Sequence, residues 1–169
     1  MTDDDKVAEL LKKYKPGFLP YPIFEQIARL VALPIVEFIP LRLSGSKIEV
    51  LLIERSHDDP HWPNVLHTPG TVIRSTDLNR DRKRDWPALE RIKVDELKGT
   101  VIGPPQYIGS MLHESKRGVE QAQLYFVEVI GEPKIGRFYD VDILPAKVME
   151  SQVPFIREAV KHFKIYKNL

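Results

Sequence analysis

Three groups of polar residues in this chain could do chemistry, and the first is rich in histidine. Imidazole and carboxylate side chains crowd one polar stretch: His57, Asp58, Asp59, His61 and His67. Both kinds of group bind zinc, but zinc sites usually show tighter, repeated ligand spacing with supporting hydrogen bonds. The spacing therefore favours a polar loop beside a cleft over a zinc site.

The second group is basic. Its cations could neutralise the phosphates of a nucleotide or an RNA end: Arg74, Arg80, Arg82, Lys83 and Arg84. Asp77, Asp81 and Asp85 alternate with them, so the net local charge is modest. Single-strand binding also calls for interleaved aromatic residues, and only Trp86 lies nearby. We predict an exposed loop over residues 75–85 and do not expect a nucleic-acid partner.

The third group is an adjacent carboxylate pair, Asp95 and Glu96, near the end of a predicted helix. This helix begins around Trp86, since a proline is tolerated in the first turn, and stops at Gly99. Alone, such a pair is most simply a solvated feature of a helix end. The residues by themselves support only two carboxylates on a helix that follows the glycine turn at Gly70.

The elements that would position these groups alternate between helical and extended patterns. Two segments rich in Val, Ile and Leu, Ile35–Leu43 and Lys47–Glu54, flank a Ser-Gly-Ser turn and predict a hairpin. Further strands are predicted at Val72–Arg74, Gln106–Leu112, Gln121–Ile130 and Phe138–Ile143, and further helices at Asp3–Lys15, Ile23–Ala32 and Pro145–Tyr166. This order favours an α+β fold, with a mixed sheet between helices.

Composition narrows the class of protein. The chain has 169 residues, 43% of them hydrophobic, with a formal net charge of +1 and no cysteine. One domain of ordinary size fits that length, and no global field attracts nucleic acid or an anionic membrane. The longest apolar stretch is interrupted by Arg29, Pro34 and Glu37, so it is unsuited to spanning a bilayer. We expect a cytoplasmic protein without disulfides or thiolate sites.

Four segments, in this order, carry a resemblance to a known family. They are the strand Val50–Arg55, the approach formed by Trp62 and Thr68–Thr71, the helix Ala88–Glu96, and the late strand with its Leu-Pro ending, Phe138–Pro145. Together they resemble the Nudix hydrolase superfamily over residues 35–163. The resemblance implies a Nudix-type mixed sheet sandwiched between helices in residues 35–169, and it leaves residues 1–34 as an added helical extension.

The family pattern is G-x5-E-x7-R-E-U-x-E-E-x-G-U, where U is aliphatic. Its three helix glutamates, at i, i+3 and i+4, share one face and hold divalent cations, usually magnesium, through oxygen ligands. The metals neutralise a diphosphate and activate a water. The resemblance therefore implies a hydrolase that uses magnesium, or manganese, on a nucleoside diphosphate linked to another moiety.

This chain departs from that pattern. The first glutamate falls at Thr76, with Asp77 beside it as a weak substitute, and residues 75–85 are an insertion. Counting from Arg91, the next glutamate becomes Ile92, and the closing glycine comes one residue late. A shifted register would make Ile92 the aliphatic position but would leave fewer carboxylates. Both registers remain open, and both predict a weakened metal site.

The resemblance assigns provisional roles residue by residue. It implies metal binding by Asp95 and Glu96, with Arg91 holding the ligand set in place. Arg55 would bind phosphate, and Gly70 would shape the loop. Glu120, in a polar loop before a strand, would be an auxiliary catalytic carboxylate.

Two functional hypotheses follow from this degenerate motif. One is a divergent hydrolase in which Arg91, Glu96 and Glu120 take part in catalysis. The other is a non-catalytic module of the same fold that binds a nucleotide or a protein, and the aliphatic Ile92 is its main support. In both, the expected small-molecule partner is of nucleotide type, the second hypothesis also admits a protein partner, and neither involves a membrane. A homodimer through the N-terminal helices is left open.

Overall fold

A seven-stranded mixed sheet organises the molecule, as seen in a computed structural model that describes residues 2–77 and 86–169. The strands are β1 (Leu33–Ser44), β2 (Lys47–Glu54), β3 (Leu66–His67), β4 (Gly70–Val72), β5 (Gln106–Ser115), β6 (Gly118–Glu128) and β7 (Arg137–Asp140). The main order is β3-β2-β1-β6-β5, with β4 paired to β1 and β7 paired to β2.

Strand β1 is the centre of this sheet. Its second half pairs antiparallel with β2 and its first half with β4, while β6 runs parallel to it from Leu33 to Leu41 on the other side. Strands β5 and β6 form an antiparallel hairpin with an irregularity near Gly109. Because β1 is buried on both faces, a polar side chain on it must find its partners inside the protein.

Helices cover the two faces of the sheet. They are α1 (Asp3–Leu11), α2 (Tyr21–Leu30), α3 (Pro87–Arg91) and α4 (Val153–Lys167). On one face, Ala28 of α2 and the buried side of α4, which includes Phe155 and Phe163, pack on the sheet. On the other face, Ala88 and Leu89 of α3 pack against Phe38 and neighbouring residues. The predicted α+β architecture, a mixed sheet between helices, is confirmed.

The boundaries of several elements differ from those predicted. The Ser44–Lys47 hairpin has the expected turn, whereas α1 ends at Leu11 and α4 begins only at Val153, after a 3-10 turn at Glu150–Gln152. Pro154 thus lies in the first turn of α4, where its missing N–H has no cost. Of the predicted loop over residues 75–85, Ser75–Asp77 forms a 3-10 turn. Residues 78–85 lie outside the described residues.

No helix in the described part of the chain is long and apolar enough to cross a membrane.

Candidate functional site

A polar cavity of about 530 Å³ opens at one end of the sheet. Its walls come from β1, β4 and the β5–β6 hairpin, from the chain after β2, and from the turn that follows α3. Most of the residues that the sequence singled out line it: Arg55, Gly70, Asp95, Glu96 and Glu120. Arg91 does not, because its side chain pairs with Asp77 and with the carbonyl oxygen of Val72. The structure thus brings residues from distant parts of the chain to one place.

The helix that carries the acidic pair changes geometry in its middle. After α3, residues Ile92–Glu96 form a π-helical turn in which the Leu97 N–H donates to the Ile92 carbonyl at 2.8 Å. Such a turn contains one more residue than an α-helical turn. The extra residue of this turn coincides with the one-residue delay of Gly99 relative to the family spacing.

Ile92 is a core residue. Its side chain is fully buried, in a cluster with Leu89 and Leu97. The register that places Ile92 at a glutamate position would therefore put that carboxylate in the hydrophobic core. Asp95 and Glu96 reach the cavity on the other side of the π-helical turn.

These two carboxylates lack the third carboxylate of the magnesium site that the resemblance implies. Burial raises the pKa of Glu96, while the charges of Arg55 and Lys98 oppose that shift. Among residues 2–77 and 86–169, no group of three or more His, Asp or Glu side chains is placed to share a metal ion. The third carboxylate of the family set is replaced by a buried isoleucine, so the described residues do not supply the three-carboxylate set of the family pattern.

Glu120 lies against a dense set of partners on the β5–β6 hairpin. Its Oε1 accepts hydrogen bonds from Arg117 at 2.6 Å and from Ser115 at 3.0 Å, and its Oε2 lies 3.3 Å from His113 Nε2. Burial alone would raise the pKa of this carboxyl, but the contacts with His113 and Arg117 outweigh burial and lower it. Glu120 is thus held as a carboxylate with both oxygens engaged, which makes it a weak base.

Arg55 projects from the end of β2 into the cavity. Its Nε donates to Asp59 Oδ2 at 2.8 Å, and its guanidinium lies 5.4 Å from the ring centre of Trp62. The two terminal nitrogens of Arg55 have no hydrogen-bond partner in the part of the chain that the structure describes. Asp59 also accepts the backbone N–H groups of His61 and Trp62, and despite burial these bonds lower its pKa to about 2. Asp59 therefore orders the loop that holds both Arg55 and Trp62.

The histidines of the polar loop separate in space. His67 lines the cavity, where burial lowers its pKa to about 4 and its Nδ1 hydrogen-bonds the Thr68 carbonyl. His61 instead contacts the Tyr21 hydroxyl of α2 at 2.5 Å, and His57 lies on the exposed surface. His67 is thus a neutral part of the cavity wall, and it lies in β3 rather than in the predicted loop. Trp62 lines the cavity, whereas Tyr107 packs on Tyr125 on an outer surface.

Sequence reasoning missed Glu37, which is one of the most unusual groups in the cavity. It lies in the middle of β1, only 7% exposed, and burial raises its pKa to about 8. Its Oε2 accepts hydrogen bonds from Thr68 Oγ1 at 3.1 Å and from Gln152 Nε2 at 3.2 Å. The available signal was one acidic residue inside an otherwise apolar strand.

Gly70 lies against this buried acid. A Cβ added to Gly70 would fall 2.4 Å from Glu37 Oε1, much closer than atoms pack. The glycine predicted to shape the loop therefore has a second, specific reason to be glycine: it makes room for the Glu37 carboxyl group beside the cavity.

Comparison with known proteins identifies the fold through solved structures. No protein-family model and no curated protein sequence matches the chain. Solved structures do resemble it. An Ap4A hydrolase from C. elegans is 14% identical with a TM-score of 0.56, and the match covers 79% of this chain and 99% of that one. A mutT/nudix family protein from Listeria innocua is 16% identical with a TM-score of 0.57, and the match covers 80% of this chain and 96% of that one.

A further similar structure includes a ligand. It is the NUDIX domain of Shewanella oneidensis NrtR complexed with ADP ribose, at 16% identity and a TM-score of 0.57, and the match covers 96% of this chain and 99% of that one. These similarities show that the chain has the Nudix fold.

Proposed function

We propose that this Nudix-fold chain is a binding module that holds a nucleoside diphosphate linked to another moiety in the polar cavity, without turnover and without needing a divalent metal. The observation that carries the proposal is that the two terminal nitrogens of Arg55 have no hydrogen-bond partner among the described residues. Arg55 lines the cavity, and Asp59 fixes the guanidinium through Nε. Two parallel N–H groups suit the two oxygens of a phosphate.

The surroundings of Arg55 support a phosphate ligand with an attached ring system. Lys98 lines the same cavity and supplies a second positive charge. Trp62, beneath Arg55, offers an aromatic surface at the cavity wall. The NUDIX domain of NrtR, which has a similar fold, was solved with ADP ribose, a ligand of this class.

The lack of a third helix carboxylate, at the buried Ile92, supports binding without metal chemistry. Ile92 fills a core position, so the carboxylates that this helix places at the cavity are Asp95 and Glu96. Arg55 and Lys98 act on Glu96 electrostatically. In this arrangement protein cations, rather than a bound cation, offset the charge of a diphosphate.

Calorimetric titration of the full chain with ADP-ribose tests the proposal. We expect the same affinity in magnesium and in chelator. Arg55→Ala should weaken binding by about tenfold to a hundredfold, the usual value of a charged hydrogen-bonding pair. Arg55→Lys keeps the charge near Asp59 but loses the planar fork, so its affinity should fall in between. The matched control is Arg157→Ala, at an exposed position on α4. Absence of ADP-ribose binding by the folded protein would refute the proposal.

The second candidate is hydrolysis of a nucleoside diphosphate linked to another moiety with magnesium. It is favoured by one observation, that Asp95 and Glu96 both face the cavity. Chromatographic detection of the nucleotide and phosphate products formed from nucleoside triphosphates, dinucleoside polyphosphates and nucleotide sugars, each with magnesium, manganese or chelator, separates the two candidates. Metal-dependent turnover that disappears in an Asp95→Ala, Glu96→Ala double variant would replace the binding proposal with the hydrolase.

A further inference from the structure

The carboxyl group of Glu37 has two oxygens in different situations. Oε2 accepts two hydrogen bonds, whereas Oε1 has no partner among residues 2–77 and 86–169, and Glu37 lines the cavity. The direction of the bond from Gln152 is fixed, because the Gln152 side-chain oxygen accepts the Thr68 backbone N–H at 2.8 Å. Its amide nitrogen must therefore donate to Glu37. Oε2 is thus an acceptor, and a proton on this carboxyl group belongs on Oε1.

From this geometry we propose that Glu37 binds the ligand as a neutral carboxylic acid, with Oε1 donating a hydrogen bond to an oxygen atom of the nucleoside diphosphate ligand. This inference rests on the proposed function and adds a residue to it. The cavity would then select for a hydrogen-bond acceptor at the floor of the site, next to Gly70. Because an ionised Glu37 would present a negative charge to an anionic ligand, binding would require the protonated form.

The groups that face Glu37 explain why it keeps its proton. Glu120 of β6 repels its negative charge, while Arg117 and Arg55 attract it from the rim. Both arginines already bond other carboxylates, Glu120 and Asp59, and none of the described cations lies within ion-pair distance of Glu37. His67, on the same cavity wall, is neutral.

The other acids that line the cavity are Glu54, Asp95 and Glu96, and Lys98, a further cation of the lining, forms no ion pair with Glu37 among the described residues. Burial therefore dominates, and it raises the pKa of Glu37 to about 8. A buried acid without a cation partner favours its uncharged form.

The affinity for ADP-ribose as a function of pH tests this inference. For the unmodified chain we expect a loss of about tenfold as the pH rises from about 7 to about 9.5, since ionisation removes the donor and adds repulsion. Glu37→Gln retains a donor and the same shape, so it should bind at neutral pH and show a flat profile. Glu37→Met has a similar size but no donor, so its binding should be weak at every pH. Glu132→Gln, at a 90% exposed side chain, is the matched control and should follow the unmodified profile.

Infrared spectroscopy provides a readout independent of binding. The free protein at neutral pH should show the carbonyl stretch of a protonated carboxyl group, which vanishes at alkaline pH and is absent from Glu37→Gln.

ADP-ribose binding by Glu37→Met with unchanged affinity, or an unchanged loss of affinity at high pH in Glu37→Gln, would overturn the inference while leaving the proposed function intact. No binding by the unmodified chain at any pH would overturn both. If the variants fail to fold, absence of the protonated band from the unmodified protein overturns the inference.

Discussion

Asp77 and Arg91 form a two-point ion pair between the start of the insertion and the end of α3. Arg91 Nη2 lies 2.8 Å from Asp77 Oδ2, and Arg91 Nη1 contacts Asp77 Oδ1. The Asp77 side chain is only 3% exposed and also accepts the Arg74 backbone N–H at 2.7 Å. Asp77, which the sequence analysis gave as a weak substitute for the first glutamate of the family pattern, is therefore the carboxylate that holds the Arg91 side chain.

Asp77→Asn should destabilise the fold by about 3 kcal/mol, the usual result of removing one partner from a buried pair. Burial would raise the pKa of Asp77, but the bonds from Arg91 and Arg74 outweigh burial and lower it. A lowered folded-state pKa gives stability that is present above the unfolded value and is lost as pH falls through the folded value. Urea unfolding across acidic pH should therefore show a shallower loss in the variant. Asp58→Asn, at a 78% exposed side chain, is the control, and an equal effect there would contradict the assignment.

Ile92→Glu should destabilise the protein by several kcal/mol and should not create a metal site, because it would place an unpaired carboxylate in the core. Ile92→Val should lose only about 1 kcal/mol, by removal of one buried methylene. Val94→Glu is the matched control, since Val94 lies on the same turn with 63% exposure and should tolerate the change. Urea unfolding and magnesium titration give the answer. A stable Ile92→Glu protein with magnesium-dependent turnover would show that this side chain faces the cavity instead.

Local pattern predicted much of the fold but little of the site's fine geometry. The β1–β2 hairpin was predictable because a small-residue turn separates two strongly apolar strands. The π-helical turn was not, because its signal is one extra residue before Gly99, which can equally be taken as a change of register. Only the packing of Ile92 in the core shows how the helix accommodates it.

The polar residues of the cavity also divide into those that the sequence could assign to the site and those that it could not. Arg55, Gly70 and Glu96 could be assigned to one site because motif order implies proximity, and they do line one cavity. Glu37 could not, because its role depends on Gln152, a residue 115 positions away, and on burial by both faces of the sheet. Charge on a central strand indicates an unusual environment, but only tertiary contacts reveal what that environment is.

Gly70→Ala should destabilise the protein by about 1–3 kcal/mol, because its methyl group would overlap the Glu37 carboxyl group. Since the expected cause is this close approach, Gly103→Ala is a fair control: its added Cβ would meet its nearest neighbour at an ordinary 3.8 Å. Thermal unfolding of both variants measures the difference. Equal melting temperatures would mean that Glu37 moves aside at no cost, and its position beside Gly70 would then not be fixed.

The contribution of Glu37 to the stability of the unmodified protein should fall as pH rises from about 4.5 towards 8. Burial raises the pKa of Glu37 in the folded protein above its unfolded value. Such a shift gives stability that is complete below the unfolded pKa and is lost as pH rises through the folded pKa. The slope from this one group is at most about 1.4 kcal/mol per pH unit. Urea unfolding of Glu37→Gln over the same range should show a flatter dependence. An identical slope in both proteins would place the charged form of Glu37 in the folded state.

Helix α1 should be the least protected helix in amide hydrogen exchange. None of its residues is buried, and Val7 and Leu10 are each more than half exposed. A capping box between Thr2 and Asp5 starts the helix, but nine residues without packing are marginally stable in water. In dilute protein we expect its amides to exchange far faster than those of α4, which buries one face on the sheet. Slow exchange in dilute protein would contradict this, whereas protection of α1 that grows with protein concentration would show that a second copy covers it, as in the homodimer left open by the sequence.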